Sequence, residues 1–333
     1  MTLSARELQL DDEEAIKGFY QEELLPELEK FERHRQQQIK IIYGLIAAAA
    51  VGLLFIIIGD KVKTSIGILH DVLSLGGYVL LFGGVGGAAY FYQRLRKGFK
   101  QILVARLCEH LGLQYQLRKP DFPIRSFVTA GIIPRNFNRS HFEDYIHGNH
   151  DGVQFRLCEG HLREKSRKDD DDKDHTRFKG LLLIYDFNKP FSGDTRLLPN
   201  VTAIGNRFLR SGYKAANPGE RVTLEDPKFR KQFDVYSTDQ VESRYLLTPG
   251  FMERLQDLRN QVSDNKSARS ANMYVAFSGG NLMIAIHTDK DRFEGGSLFK
   301  NVVQFERVDE LITEIRLIYK IIDVLNLTDQ SGV

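Results

Sequence analysis

Two long uncharged stretches dominate the pattern of hydrophobic and polar residues along the chain. They cover residues 41–59 and 72–92, and neither contains Asp, Glu, Lys or Arg. As an α-helix the first stretch would extend about 28 Å, which matches a bilayer hydrocarbon core of roughly 30 Å. Because only residues 60–71 separate them, the pattern predicts two transmembrane helices, residues 39–59 and 72–92, joined by a short external loop into an antiparallel hairpin.

Small residues recur in both stretches at a spacing that lets helix backbones approach closely. Gly44, Ala48 and Gly52 stand four apart in the first stretch, and Gly83 and Gly87 do so in the second. We predict these five residues as the helix-packing surface of the hairpin. A phosphate-binding loop is excluded there, since no strand precedes the second set and no Lys-Ser/Thr pair follows it.

The flanking charges indicate how the hairpin is oriented. Lys and Arg gather before the first stretch and after the second, at Lys30, Arg33, Arg35, Lys40, Arg94, Arg96, Lys97, Lys100 and Arg106. The loop between the stretches carries only Lys61 and Lys63. By the positive-inside rule, the N-terminal segment 1–38 and the large region 93–333 are expected in the cytoplasm. A cleaved leader is disfavoured, because about 38 residues with an acidic run at 11–14 precede the first stretch.

The segments next to the membrane are predicted to be helical. Residues 13–38 carry apolar side chains at three- and four-residue steps, namely Ile16, Phe19, Tyr20, Leu24, Leu28 and Phe31. Pro26 is expected to kink this amphipathic helix. Its apolar face either lies on the membrane or a partner, or packs on the protein's own C-terminal domain. We favour packing on the C-terminal domain, because the acidic first half of the helix suits a membrane surface poorly. Residues 93–113 are predicted to continue the second transmembrane helix as a stalk.

The rest of the chain alternates short β-like runs with helices and turns. Strands are predicted at 153–158, 178–187, 273–278 and 281–287, the last two joined as a hairpin by Gly279-Gly280. Helices are predicted at 239–246, 249–262 and 308–325. Since no regular βαβ alternation occurs, the fold class is α+β, a domain of mainly antiparallel strands with flanking helices behind a transmembrane hairpin.

Composition and charge narrow the function classes further. A net charge of +2 gives no electrostatic case for nucleic-acid binding. The two cysteines, Cys108 and Cys158, are too few for a disulfide framework and fit a reducing compartment. The charged stretch 163–173 lacks the glycine and the final glutamate of a calcium-binding loop, so we predict a solvated hairpin loop there.

One group of residues has the ligand types of a tetrahedral zinc site. His147 and His150 stand three apart, as do Cys158 and His161. Residues three apart in a strand point to opposite faces, however, so the second pair converges only if the strand ends between them. The alternative interpretation is a tight turn at residues 148–152 with His150 near its tip.

A second polar group lies at Asp239, Glu242 and Arg244. It contains the residue types of a catalytic cluster, but Asp239 with Glu242 three positions later is also the spacing of a helix capping box. We favour capping. The chain contains no G-x-S-x-G, Walker A, H-E-x-x-H or protein-kinase motif.

Several short motifs together resemble a known family. They are Phe19-Tyr20-x4-Leu25-Pro26, Asp144-Tyr145-Ile146-x-Gly148, Phe178-Lys179-Gly180, Asp226-Pro227-x-Phe229 and the block from Tyr236 to Pro249. With the membrane hairpin, they resemble the bacterial membrane family DUF3137 over residues from about 15 to 300. The resemblance implies a bacterial integral membrane protein and carries over no catalytic residue.

The expected function is therefore a two-pass inner-membrane protein that holds a cytoplasmic binding, scaffold or sensor module at the lipid bilayer, near other membrane proteins. No cofactor is expected. The alternative is a membrane-anchored, metal-dependent enzyme that uses His147, His150, Cys158 and His161, with zinc as the candidate metal.

Overall fold

The computed structural model describes residues 13–62, 67–165, 174–186, 191–200, 213–262, 273–288, 293 and 296–325. These residues form two compact units. The helical unit comprises the described residues up to Leu107 and those of Glu294–Ile312. The sheet unit comprises those of Cys108–Phe293 and from Thr313 onward.

Two very long helices make up most of the helical unit. After the short helix α1 (Glu13–Phe19), α2 runs from Leu25 to Val62 and α3 from Gly67 to His110. The first predicted membrane span lies inside α2, and the second span and most of the predicted stalk lie inside α3. Both helices continue into the predicted loop 60–71, because charged residues end an apolar stretch without ending a helix.

A π-helical turn at Tyr20–Leu24 joins α1 to α2, where the sequence predicted a kink at Pro26. The amide of Leu25 donates to the carbonyl of Tyr20, five residues back. Pro26 has no N–H to donate to the preceding turn, which accounts for a wider turn here in place of a break. Five of the six predicted apolar side chains of this segment are buried, and the ring of the sixth, Tyr20, lies 5.4 Å from that of Phe305.

A single antiparallel sheet of nine strands forms the sheet unit, in the order β1-β2-β3-β4-β9-β8-β5-β7-β6. The strands are β1 (Gln114–Arg118), β2 (Arg139–His150), β3 (Val153–Lys165), β4 (Asp174–Asp186), β5 (Thr195–Pro199), β6 (Glu220–Val222), β7 (Phe233–Ser237), β8 (Met273–Ser278) and β9 (Asn281–His287). The predicted α+β class with mainly antiparallel strands is confirmed.

Helices lie between and after these strands. They are α4 (Ile124–Ala130), α5 (Pro227–Gln232), α6 (Gln240–Leu246), α7 (Pro249–Val262) and α8 (Phe305–Leu325), which begins in the helical unit and ends in the sheet unit. The predicted hairpin of β8 and β9 is confirmed: Ser278 pairs with Asn281, and Gly279 and Gly280 both have positive φ, as its two-residue turn requires.

Both faces of the central strands are covered. On one face, Phe127 of α4 packs in a cluster with Phe142, Cys158 and Leu182. On the other, the ring of Phe155 in β3 lies 6.0 Å from that of Tyr319 in α8. Strands buried on both sides read as continuous apolar runs, which is why β4 and β9 could be predicted. Of the predicted solvated loop 163–173, residues 166–173 lie outside the described residues.

Candidate functional site

The two long helices pack against each other as an antiparallel pair. A methyl group added at Gly52 would lie 2.6 Å from the carbonyl oxygen of Gly77, and one at Gly84 would lie 2.5 Å from that of Leu45. Near the other end, a methyl group at Gly59 would lie 2.9 Å from Oγ of Ser74. In this register, residue 41 is level with about residue 90 and residue 59 with about residue 72. The two uncharged stretches therefore begin and end at the same levels.

The buried residues at the contact between α2 and α3 lie seven positions apart along each helix. Gly52 and Gly59 are seven apart on α2, and Gly77 and Gly84 are seven apart on α3. Ala49, between Leu45 and Gly52, lies against Gly84. Buried positions that average 3.5 residues apart are typical of a left-handed helix pair.

Only part of the predicted packing surface lies in this contact. Gly52 is buried in it, and a methyl group at Gly87 would touch Leu45 at 3.2 Å. Ala48 is half-buried. For Gly44 and Gly83 the prediction was wrong, because a methyl group on either would meet nothing within 4 Å. Steps of four residues rotate about 40° around an α-helix each time, so a run of them leaves the contact face, whereas steps of seven stay on it.

The outer surface of this hairpin is apolar. Among the described residues, seventeen of the twenty exposed large hydrophobic side chains lie between Ile41 and Tyr90. Both helices are long and apolar enough to cross a membrane, and only 17% of the most apolar 18-residue stretch of each helix is buried. A helix in the core of a soluble domain would bury such a window, and a soluble surface rarely exposes so large an apolar area.

A short loop folds onto the charged end of the hairpin. The ring of Phe299 stacks on that of Tyr92 at 5.6 Å and lies 6.2 Å from that of Tyr43. Arg35 of α2 donates from Nη1 to the carbonyl of Leu298 at 2.7 Å, and Oε2 of Glu32 accepts from the amide of Val302 at 3.1 Å. The loop is thus held on both sides of Phe299.

Glu32 and Arg35 form a buried ion pair that anchors this loop. Arg35 donates from Nε and Nη2 to the two carboxylate oxygens of Glu32, at 2.7 and 2.6 Å. Glu32 is 8% exposed and Arg35 is 7% exposed. The hydrogen bonds from Arg35 lower the pKa of Glu32 to about 2, with smaller contributions from Gln36 and the amide of Val302. In the sequence Arg35 is recognisable only as a flanking positive charge, and this pair, at i, i+3 within α2, was not predicted.

The four predicted zinc ligands do not come together. His147 lies beside the ring of Tyr145, while His150 stacks on Tyr319 with ring centres 4.0 Å apart. Sγ of Cys158 is buried and donates to the carbonyl of Glu143, and His161 lies 3.1 Å from Oγ1 of Thr176. The reason is strand alternation: β2 and β3 continue through each pair, so residues three apart point to opposite faces.

The cysteines are also in the wrong state for metal binding or nucleophilic chemistry. Burial raises the pKa of Cys108 to about 12, and it raises the pKa of Cys158 still further. Both side chains are therefore protonated at neutral pH, whereas the thiolate is the metal ligand and the nucleophile.

The described residues contain one close group of metal-ligating types, His150, Asp151 and Asp323. Nε2 of His150 lies 3.2 Å from Oδ1 of Asp323 and 3.9 Å from Oδ2 of Asp151. Both carboxylates are more than half exposed. The ring of this histidine stacks on that of Tyr319 at the end of the β2–β3 hairpin, where the sequence predicted a turn.

Asp239 begins helix α6. Its Oδ1 accepts from the amides of Val241 and Glu242 at 2.9 and 3.0 Å, and its own amide donates to Oγ of Ser237 at 3.1 Å. Arg244 donates to the carbonyl of Gln240 within the same helix. The contacts of Asp239 and Arg244 are thus those of helix-end stabilisation, with Ser237 in the place that the capping box gives to Glu242.

A buried carboxyl that the sequence analysis did not single out lies in β2. Asp144 is fully buried with φ of 52°, at the irregularity in the pairing of β2 with β3, and accepts from the hydroxyl of Tyr115 at 2.7 Å. Asp144 begins the Asp144-Tyr145-Ile146-x-Gly148 motif of the resemblance. Positive φ in a residue other than glycine needs such local support.

The match to a family model agrees with the sequence resemblance. Residues 176–327 match the family model described as protein of unknown function, DUF3137. No curated protein matches the chain. The crystal structure of the mycobacterial trehalose monomycolate transport factor A, TtfA, is similar with a TM-score of 0.33 and 10% identity, over 72% of this chain and 96% of that chain.

The matched residues run from β4 through α8 and include the Tyr236–Pro249 block, the most specific part of the resemblance. The motifs before residue 176 lie outside them. The predicted resemblance to the DUF3137 family is therefore confirmed over residues 176–327.

Proposed function

We propose that this protein is an integral inner-membrane protein of bacteria, anchored by the hairpin of α2 and α3, that holds its sheet unit at the membrane as a binding or scaffold module. The observation that supports this most is the shared level of the two uncharged stretches in the packed hairpin, with an apolar outer surface between Ile41 and Tyr90. An apolar surface of this size on a pair of exposed helices is stabilised when lipid surrounds it.

A binding role fits the sheet unit better than catalysis. The buried thiols of Cys108 and Cys158 are protonated, and the carboxylate of Asp239 accepts hydrogen bonds from two backbone amides at the start of α6. Confinement at a membrane raises the effective concentration of the sheet unit near membrane partners, so that even a weak interface is occupied. The partners proposed are lipid and other membrane proteins.

Membrane integration is tested by fractionation of the full-length protein. It is expected in the high-speed pellet, to stay there in alkaline carbonate, and to be released by detergent. Leu54→Lys with Val79→Lys, two exposed residues near the middle of the hairpin, should shift protein to the supernatant. The matched control, Val241→Lys with Tyr245→Lys, changes exposed residues of the sheet unit and should stay in the pellet. Wild-type protein in the carbonate supernatant would contradict the proposal.

Sidedness is a separate expectation. Exposed Lys40, Arg94 and Lys97 flank the apolar stretches at one end of the hairpin, and such residues remain in the cytoplasm. A C-terminal reporter that is active only after export should give no signal, whereas a fusion of the same reporter within residues 63–66 should give one. A strong C-terminal signal would show that the orientation is inverted.

A further inference from the structure

The loop that carries Phe299 lies at the level where the apolar stretches end. Tyr43 is the third residue of the first stretch, and Tyr92 is the last residue of the second. The ring of Phe299 lies within 6.2 Å of both of their rings. Phe299 is nevertheless 48% exposed, unlike its neighbour Leu298, which is 2% exposed.

Aromatic side chains at this level have a known physical preference. In membrane proteins, aromatic rings gather at the boundary between hydrocarbon and headgroups. Tyr43 and Tyr90 are also more than half exposed, so the loop adds a third exposed ring to a belt formed by the ends of both helices. The surface is continuous with the apolar surface of the hairpin.

The charges around this belt suit an anionic lipid surface. Lys300 follows Phe299 and is exposed, and Lys40 and Arg94 are exposed just beyond the ends of the apolar stretches. Basic side chains at this level attract anionic headgroups. An exposed ring next to an exposed lysine is also the pairing found on interfacial membrane-binding segments.

Hydrogen bonds from charged side chains to the loop backbone hold the loop in this position. Arg35 binds the carbonyl of Leu298, Glu32 binds the amide of Val302, and Arg307 donates from Nη2 to the carbonyl of Ser297 at 2.7 Å. Fixing the backbone on both sides of an exposed phenylalanine removes the entropy that a mobile loop would lose on docking.

We infer that the loop 296–304 is a third membrane-contacting element, in which Phe299 inserts between anionic phospholipid headgroups beside Tyr43 and Tyr92 while Lys300 contacts their phosphates. The inference rests on the proposed function, because it needs the hairpin to be in lipid. It differs from a two-helix anchor in that a segment more than 200 residues further along the sequence would also touch the bilayer.

Depth-dependent fluorescence quenching tests this. Native Cys108 and Cys158 are buried, so a thiol-reactive NBD dye should label only an introduced cysteine, with the wild type as the labelling control. Phe299→Cys, labelled in the full-length protein, is reconstituted into vesicles of phosphatidylcholine and phosphatidylglycerol. We expect blue-shifted emission and stronger quenching by doxyl groups near the headgroup than by doxyl groups in the middle of the acyl chain. Lys300→Cys keeps Phe299 in place and should also be quenched most by the shallow doxyl group.

Two further sites separate the outcomes. Val79→Cys reports on the middle of the hairpin and should be quenched most by the deep doxyl group, while Val241→Cys in the sheet unit should resist quenching. Quenching at residue 79 with residues 299 and 300 behaving like residue 241 would overturn the inference and leave the anchor intact. An absence of quenching at residue 79 would instead overturn the proposed anchor. Replacing phosphatidylglycerol by phosphatidylcholine should weaken shallow quenching at residue 299 and leave residue 79 unchanged.

Discussion

Replacing Gly84 by leucine is expected to lower the stability of the hairpin by about 3 kcal/mol or more, because overpacking at a tight contact forces the backbones apart. Even a methyl group there would lie 2.5 Å from the carbonyl oxygen of Leu45 and 2.9 Å from Cβ of Ala49. The measurement is the temperature at which half of the detergent-solubilised protein is lost from its monodisperse peak. A decrease of roughly 6–12 °C corresponds to this change in free energy.

The adjacent glycine offers a matched control. Gly83 is exposed, and a methyl group there would meet nothing within 4 Å. Gly83→Leu makes the same chemical change one residue earlier, replaces a poor helix former by a good one, and adds apolar surface toward detergent or lipid. It should leave the midpoint unchanged or raise it. Equal losses from the two substitutions would show that the helices do not pack through the face containing Gly84.

This contrast also shows how far helix packing could be predicted from the sequence. The two apolar stretches could be found from the absence of charge, and their antiparallel pairing from the shortness of residues 60–71. Which glycines face inward depends on the angle between the helices, and a four-residue spacing fits one crossing geometry while a seven-residue spacing fits another. The sequence contains both spacings, so Gly44 and Gly83 could not be separated from Gly52 and Gly84 by counting.

In the sheet unit, three of the four predicted strands contain continuous apolar runs, and the fourth, at the start of β3, alternates apolar and polar side chains from Val153 to Leu157. The continuous runs are those of β8, β9 and the segment Leu181–Tyr185 of β4, and the Gly279-Gly280 turn marked β8 and β9 as a hairpin. β2 has only three large apolar side chains among its twelve residues and contains Asp144 at positive φ, and β6 has only three residues. Such strands are defined by their neighbours across the sheet, which a local pattern does not contain.

Distance along the sequence does not predict which side chains meet in the structure, as the predicted zinc ligands and the loop at Phe299 both show. His147, His150, Cys158 and His161 are close in sequence, but strand alternation separates them in the structure. Glu32 and Val302 are 270 residues apart in sequence, yet they share a hydrogen bond. Residue types identify which chemistry is available, whereas the fold decides which groups meet.

Removing one partner of the buried pair at the base of the hairpin is expected to destabilise the helical unit by about 3–5 kcal/mol. Arg35→Met keeps an unbranched apolar stem, removes the guanidinium, and leaves the carboxylate of Glu32 buried without its two hydrogen bonds from Arg35. Arg106→Met is the control, because Arg106 of α3 forms an ion pair with Glu27 of α2 in the same unit, with the two side chains 48% and 34% exposed. An exposed pair contributes about 1 kcal/mol or less. The unfolding midpoint in detergent should therefore fall much further for Arg35→Met.

The pH dependence of that difference identifies its cause. The pKa of Glu32 is lowered from 4.5 to about 2 in the folded protein, so the stabilisation is fully present above pH 4.5 and is lost as the pH falls toward 2. The gap in stability between the wild type and Arg35→Met should accordingly narrow over this range, while the gap between the wild type and Arg106→Met stays small at every pH. If the Arg35→Met gap keeps its size down to pH 2, its origin is the packing of the arginine stem and not the ion pair, because a packing contribution does not titrate.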